Sequence, residues 1–190
     1  MNIKPNDAFE VIWIGWLVSW MAASFWSSRT EKSVATRQTW MYRAAIFTGA
    51  ILMTPWAGRV IGEKRVWEVS TNLACALIVL MFLGLLLTWQ ARIHLGRLWS
   101  SAITRKERHR VVDTGPYAFV RHPIYTGIIT AVLATAVAEA TFTALAGTAF
   151  ICSGLYLKAR AEERFLMLEL DYESYCRRVP MLIPFLRPPK

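Results

Sequence analysis

Apolar residues gather along the chain in five runs separated by polar connections. They cover approximately Ala8–Trp26, Ala44–Ile61, Thr71–Trp89, Pro123–Ala138 and Thr141–Leu157. A helix that crosses a bilayer needs roughly 20 mainly apolar residues, with about 17 as the short limit, so the pattern predicts about five membrane helices. The third run, TNLACALIVLMFLGLLLTW, carries no charge. The second holds Pro55 and ends near Arg59, whose long side chain can reach back to the interface. Only AEA, residues 138–140, separates the last two, which therefore read as a tight antiparallel hairpin moving as one unit, with Glu139 at the water boundary. The first run is longer than the apolar part of a signal peptide and has Lys4 as the only cation before it, so it reads as a retained span.

No repeat, low-complexity tract or long linker divides the chain, so residues 1–190 read as a single membrane domain. Residues 1–90 hold the first three spans. Residues 91–190 hold a polar connection, the hairpin and a tail. Pro180 and Pro184 keep the apolar end of the tail from forming a sixth regular span, and it reads instead as an interfacial strap.

Composition agrees with a membrane protein: 55% of residues are hydrophobic, too many for an ordinary soluble domain of this length. Lys and Arg number 22 against 13 acidic residues, but they sit between apolar runs and build no continuous basic face, so no nucleic-acid partner is expected. Their distribution alternates. One precedes the first run, four lie in the first connection, two to three near Arg59–Arg65, seven from Arg92 to Arg121, none around Glu139 and seven from Lys158 onward. By the positive-inside rule the N-terminus lies outside, and the long connection and the tail share the cytoplasmic side of an inner or internal cellular membrane. The three cysteines form no CxxC pair and the three histidines lack metal-ligand spacing, so neither a disulfide framework nor a metal site is expected. There is no Walker A, GxGxxG or GxSxG motif.

Two stretches on the shared side carry chemistry. In GPYAFVRHPIYTG, residues 115–127, Pro123 suits the first turn of a helix and places His122 at or beside its N-cap, with Tyr125 just inside. A helix N-terminus offers free N–H groups and the positive end of a dipole to an anion. An interfacial anchor accounts for Arg and Tyr there equally well. In KARAEER, residues 158–164, the last span continues into water and brings Arg160 and Glu163 near one face. Solvated charge pairs explain that spacing too, although Glu162 and Glu163 can also bind a cation or sugar hydroxyls.

Taken in order, LGRLWS (95–100), HRVVDTGPYAFVRHPIYTG (109–127), the Glu162–Glu163 pair and DYESYCRRVPMLIPFL (171–186) resemble the isoprenylcysteine carboxyl methyltransferase family of integral-membrane enzymes. The resemblance implies a helical membrane fold with a five-helix core and a cytoplasmic pocket for S-adenosylmethionine. It implies cofactor contacts from His109, Val111, Val112 and Tyr117 in the connection, and from His122, Pro123, Ile124 and Tyr125 at the helix mouth. It implies that Glu162 or Glu163 is the cofactor-binding carboxylate and that Arg160 orients the acceptor, with His122 or Tyr125 available to the chemistry.

The acceptor is then a lipophilic or small molecule arriving from the bilayer. A carboxylate, ionised near neutral pH with a pKa of about 4, needs no general base. A thiol or amine needs deprotonation, with His122 or a tyrosine as base. Phospholipid N-methylation, thiol S-methylation, NADPH-dependent reduction of a sterol-like double bond and a noncatalytic membrane role are the alternatives.

Overall fold

The computed structural model describes residues 5–23, 30–33, 37–96, 99, 104–106, 111–169 and 172–186. Among the described residues the regular structure is helical apart from one short ribbon. Helix α1 spans Pro5–Ala22, α2 Arg37–Leu52, α3 Pro55–Val60, α4 Thr71–Leu95, α5 Pro123–Glu139, α6 Phe142–Glu169 and α7 Glu173–Arg178. Strands β1 (Thr30–Ser33) and β2 (Thr104–Lys106) pair antiparallel, with an irregularity between Thr30 and Lys32. The ribbon ties the connection after α1 to the connection after α4, so both lie at the same end of the bundle.

Local signals account for several boundaries. Ser70 caps α4 by accepting the Leu73 N–H at 3.3 Å, and Gly96, with φ of +57°, terminates it. The second apolar run does not form one helix. Pro55 has no N–H to donate and its ring crowds the carbonyl four residues back, so α2 ends at Leu52 and Pro55 opens the short α3. The 3.3 Å Ser70 contact is long for a cap, whereas the N-terminus of α6 is held more closely from a distant loop. Glu63 accepts the N–H of Phe142 at 2.5 Å and of Thr143 at 3.2 Å, and the Thr143 hydroxyl at 2.7 Å.

α4 and the Phe142–Leu168 stretch of α6 are long and apolar enough to cross a membrane, and α5 is a shorter apolar helix. At 1.5 Å per residue the 25 residues of α4 reach about 37 Å, beyond the roughly 30 Å hydrocarbon core. Val79, Phe82 and Leu83 of α4 lie outside the bundle, each more than half exposed, as do Val11, Ile14 and Val18 of α1. Water opposes apolar surface on that scale and lipid does not. A helical membrane protein satisfies both the length and the exposed surface.

The hairpin of α5 and α6 forms, but its arms pack on different partners: α5 lies along α4 and α6 along α2. Glycines set both crossings. A Cβ on Gly84 would stand 2.7 Å from the Gly127 carbonyl oxygen, and one on Gly147 would stand 2.7 Å from that of Gly49. Small residues allow such backbone approach where lipid gives no hydrophobic drive for helices to associate.

α1 is fastened by tryptophans. Trp13 Nε1 donates to Thr135 Oγ1 at 3.1 Å and Trp16 Nε1 to Thr88 Oγ1 at 2.8 Å. Trp20 stacks on Trp16 and meets Trp89 and Trp99 edge-on. The buried Arg92 guanidinium lies 3.5 Å over the Trp99 ring and donates to the Ala23 carbonyl. Segments outside the resemblance thus pack directly against those within it.

Candidate active site at the mouth of helix α5

A 3₁₀ turn at Gly115–Ala118 leads the chain to the entrance of α5, where Pro123 takes the first turn and His122 the N-cap. The tail docks here as a strap. Arg121 N–H donates to the Pro180 carbonyl at 2.8 Å, His122 N–H to Met181 at 3.1 Å and Thr126 Oγ1 to Leu182 at 2.6 Å. Each bond satisfies a main-chain group that the prolines in this tail leave outside any regular ladder.

Arg121 is the clasp of the site. Its Nε donates to Glu163 Oε1 at 2.7 Å, and its Nη1 donates to the carbonyls of Cys176 at 2.7 Å and Val179 at 2.6 Å. One planar guanidinium therefore joins the mouth of α5, the end of α6 and the C-terminal turn of α7, whose last carbonyls need donors. Sequence reasoning placed Arg121 at the mouth without giving it this role. The available signal was a cation next to the N-cap of a buried helix, which requires an acid and further acceptors from elsewhere in the fold.

The adjacent glutamates of α6 both reach the entrance of α5. Glu163 is buried at 3% exposure and lies 3.2 Å from His122 Nε2, while Glu162 lies 3.7 Å from His122 Nδ1. Tyr125 donates its hydroxyl to Glu162 Oε1 at 2.7 Å, and Lys158 Nζ stands 3.8 Å from the same oxygen. The rings of His122 and Tyr125 are parallel, 5.2 Å apart, with the Lys158 ammonium 5.3 Å from the Tyr125 centroid. The cluster thus combines two carboxylates, an imidazole, a phenol and an ammonium in a largely dry setting.

The connection supplies the neighbouring wall. Tyr117 is buried, packs near-parallel to His94 and accepts at its main-chain carbonyl from the Tyr175 hydroxyl at 2.6 Å. Burial pushes both the Tyr117 and Tyr175 phenols well above their ordinary range, and the Glu162 charge adds to the effect at Tyr117. They stay protonated, and the Tyr175 hydroxyl serves as a donor. Ile124 and Tyr125 join the central core beside Tyr117, with Val112 packed against it, while Val111 packs against Tyr172, Tyr175 and Val179 of the tail. Pro123 is fully buried. Arg160 is exposed on α6, whereas Lys158, a residue that sequence reasoning did not single out, joins Arg121 as a cation at the cluster. His109 lies outside the described residues.

Three relatives bear on this arrangement. The chain is 30% identical over 178 residues to methanethiol S-methyltransferase 1 of Bradyrhizobium diazoefficiens, covering 86% of this chain and 59% of that protein. It is 30% identical over 133 residues to the cobalt-zinc-cadmium resistance protein CzcN of Cupriavidus metallidurans, covering 68% and 58%. It is 30% identical over 130 residues to protein-S-isoprenylcysteine O-methyltransferase B of Arabidopsis thaliana, covering 66% and 64%. The chain thus spans between 58% and 64% of the length of these curated relatives. The pattern of one family runs over residues 76–168, from α4 through the mouth of α5 to both glutamates and nearly to the end of α6. Residues 76–168, which carry the mouth of α5 and both glutamates, match the isoprenylcysteine carboxyl methyltransferase (ICMT) family.

Proposed function

We propose that this chain is a membrane-embedded methyltransferase that uses S-adenosylmethionine and methylates a lipophilic or small acceptor. The observation that carries the reading is the meeting of Glu162 and Glu163 with His122 and Tyr125 inside the family-matched segment. The residues suit the cofactor: the two carboxylates match its ammonium and ribose hydroxyls, and aromatic faces at Tyr125 and Tyr117 favour a sulfonium. When bound, the cofactor supplies an electrophilic methyl group whose bonding electrons return to sulfur as the acceptor attacks. In this reading Glu162 and Glu163 hold the cofactor, Tyr117, Val111, Val112, Pro123 and Ile124 wall its pocket, and His109 contributes from the connection. Catalysis is then mainly positioning and exclusion of water, to which a dry cluster is suited.

Lys158 orients an anionic acceptor, ahead of the exposed Arg160, because its ammonium already lies inside the cluster. A carboxylate acceptor uses it directly. Thiol S-methylation is the second reading, favoured by the relative that matches 86% of the chain. There His122, the imidazole between the glutamates, takes the thiol proton before transfer. In this reading the five apolar runs, the second of them broken into α2 and α3, cross the membrane with the N-terminus outside, and the cluster and tail face the cytoplasm.

The test uses the full chain in nanodiscs with methyl-labelled S-adenosylmethionine and membrane extract. Label that alkali releases as methanol marks a carboxyl ester, and alkali-stable label in a small sulfide marks S-methylation. S-adenosylhomocysteine at 100 times its dissociation constant stabilises the fold by about 2.7 kcal/mol, and NADPH leaves it unchanged. Stabilisation by NADPH alone rejects the reading in favour of a reductase. A tag after Lys190 that is labelled only from outside rejects the topology.

A further inference from the structure

Tyr42 lies on α2, outside the segment that carries the family pattern. It is 2% exposed, and its hydroxyl has no hydrogen-bond partner among the described residues. Burying a hydroxyl without a partner is costly, and a phenylalanine would fill the same space without that cost.

The packing of α2 on α6 sets Tyr42 beside the part of α6 that leads to the site. Gly49 faces Gly147, and the Tyr42 main chain, seven residues earlier, faces Gly154, seven residues later. The helices are therefore antiparallel. Helical side chains lean toward their own N-terminus, which for Tyr42 is toward the later residues of α6. Lys158 lies one turn beyond Gly154, and Glu162, which holds the Tyr125 hydroxyl, lies one turn further. The Tyr125 hydroxyl already donates to Glu162, so its proton is committed and that of Tyr42 is not.

We infer that the Tyr42 hydroxyl is the donor that receives the methyl acceptor, and that it selects oxygen and sulfur anions over amines. The inference rests on the methyltransferase reading and narrows its substrate class. A carboxylate or thiolate has lone pairs to spare, so it can accept a hydrogen bond from Tyr42 while another pair attacks the methyl group. A neutral amine has one lone pair. A hydrogen bond to it blocks the attack, so a donor at this position disfavours N-methylation. The family-matched helices carry the cofactor end, and a residue from α2 sets the acceptor chemistry.

The experiment compares wild type with Tyr42→Phe in nanodiscs, using an apolar carboxylate, an alkyl thiol and an alkyl amine as acceptors. Three quantities are read: the midpoint of thermal unfolding, affinity for S-adenosylhomocysteine by calorimetry, and kcat/KM for each acceptor. The expected variant has an equal or higher midpoint, unchanged ligand affinity, and kcat/KM about tenfold or more lower for the carboxylate or thiol, with the amine unaffected or improved. If Tyr42→Phe keeps wild-type kcat/KM for the anionic acceptors, the hydroxyl is a structural orphan and the inference fails alone. Parallel loss of ligand affinity and of all acceptors makes the residue structural, and the inference fails in that case too. If wild type binds no S-adenosylhomocysteine and transfers no methyl group, the functional reading falls and takes the inference with it. Tyr42→Met, whose flexible side chain fills the space differently, repeats the measurement should the phenylalanine variant not fold. Failure of both to fold also overturns the inference.

Discussion

Arg121 and Glu163 are 42 residues apart and meet through Arg121 Nε and Glu163 Oε1 at 2.7 Å, with both side chains less than a tenth exposed. The same guanidinium holds two carbonyls of the tail. Removing it leaves a buried carboxylate facing His122 without its guanidinium partner, and frees the strap. Arg121→Ala should therefore cost about 3–5 kcal/mol. Arg121→Lys should recover only part of this, because an ammonium lacks the planar fork that reaches all three acceptors. Detergent-resolved unfolding, with limited proteolysis of the tail, measures both effects. Wild-type stability with a protease-resistant tail would show that the clasp is not required.

Glu63 predicts a pH effect at the opposite end of the bundle. Its hydrogen bonds from the Thr143 hydroxyl, and from the N–H groups of Thr143 and Phe142, hold its carboxyl below the ordinary 4.5. A folded-state pKa below the unfolded one means that the stabilisation is complete above about pH 4.5 and is lost as pH falls through the depressed value. Midpoints of thermal unfolding measured from about pH 6 down to about pH 3 should fall less steeply for Glu63→Gln than for wild type. Superimposable slopes would remove Glu63 from the acid response.

The α4–α5 crossing leaves no room for a methyl group at Gly84. Gly84→Ala should separate the helices and cost about 1–3 kcal/mol, as overpacking commonly does. Gly15 provides the control, because a Cβ there meets nothing within 4 Å. Gly15→Ala should be neutral or slightly stabilising. Thermal unfolding of both variants in the same nanodisc lipid is the comparison. Equal midpoints would show that the crossing relaxes freely.

Division of labour on α6 is testable by charge removal. Glu163→Ala should chiefly weaken S-adenosylhomocysteine affinity, and Lys158→Ala should chiefly lower kcat/KM for the acceptor while affinity stays near wild type. Arg160→Ala, at an exposed position, should change turnover less than Lys158→Ala. Calorimetry and initial rates on monodisperse protein separate these effects. A larger loss for Arg160→Ala would return acceptor orientation to that residue.

Hydropathy, proline and the order of short motifs determined much of this protein before folding is considered. The uncharged run that became α4, the helix start at Pro123, the turn between α5 and α6 and the continuation of α6 beyond Leu157 all depend on residues close in sequence. Helix ends and apolar length are local properties, and the motif order carried the resemblance to the family that residues 76–168 match. Which side chains meet is not local. Along KARAEER, Arg160 and Glu163 at i,i+3 and Lys158 and Glu162 at i,i+4 are equally periodic, and only the rotation of α6 against its neighbours turns Lys158 inward and Arg160 outward. That rotation is set by glycine contacts such as Gly49 with Gly147, far from the site. The Arg121 clasp, the Glu63 cap nearly 80 residues from its helix and the orphaned Tyr42 hydroxyl were likewise decided by tertiary structure. Burying a polar group is unfavourable until a partner arrives, and for these residues the partner's position exists only once the helices have packed.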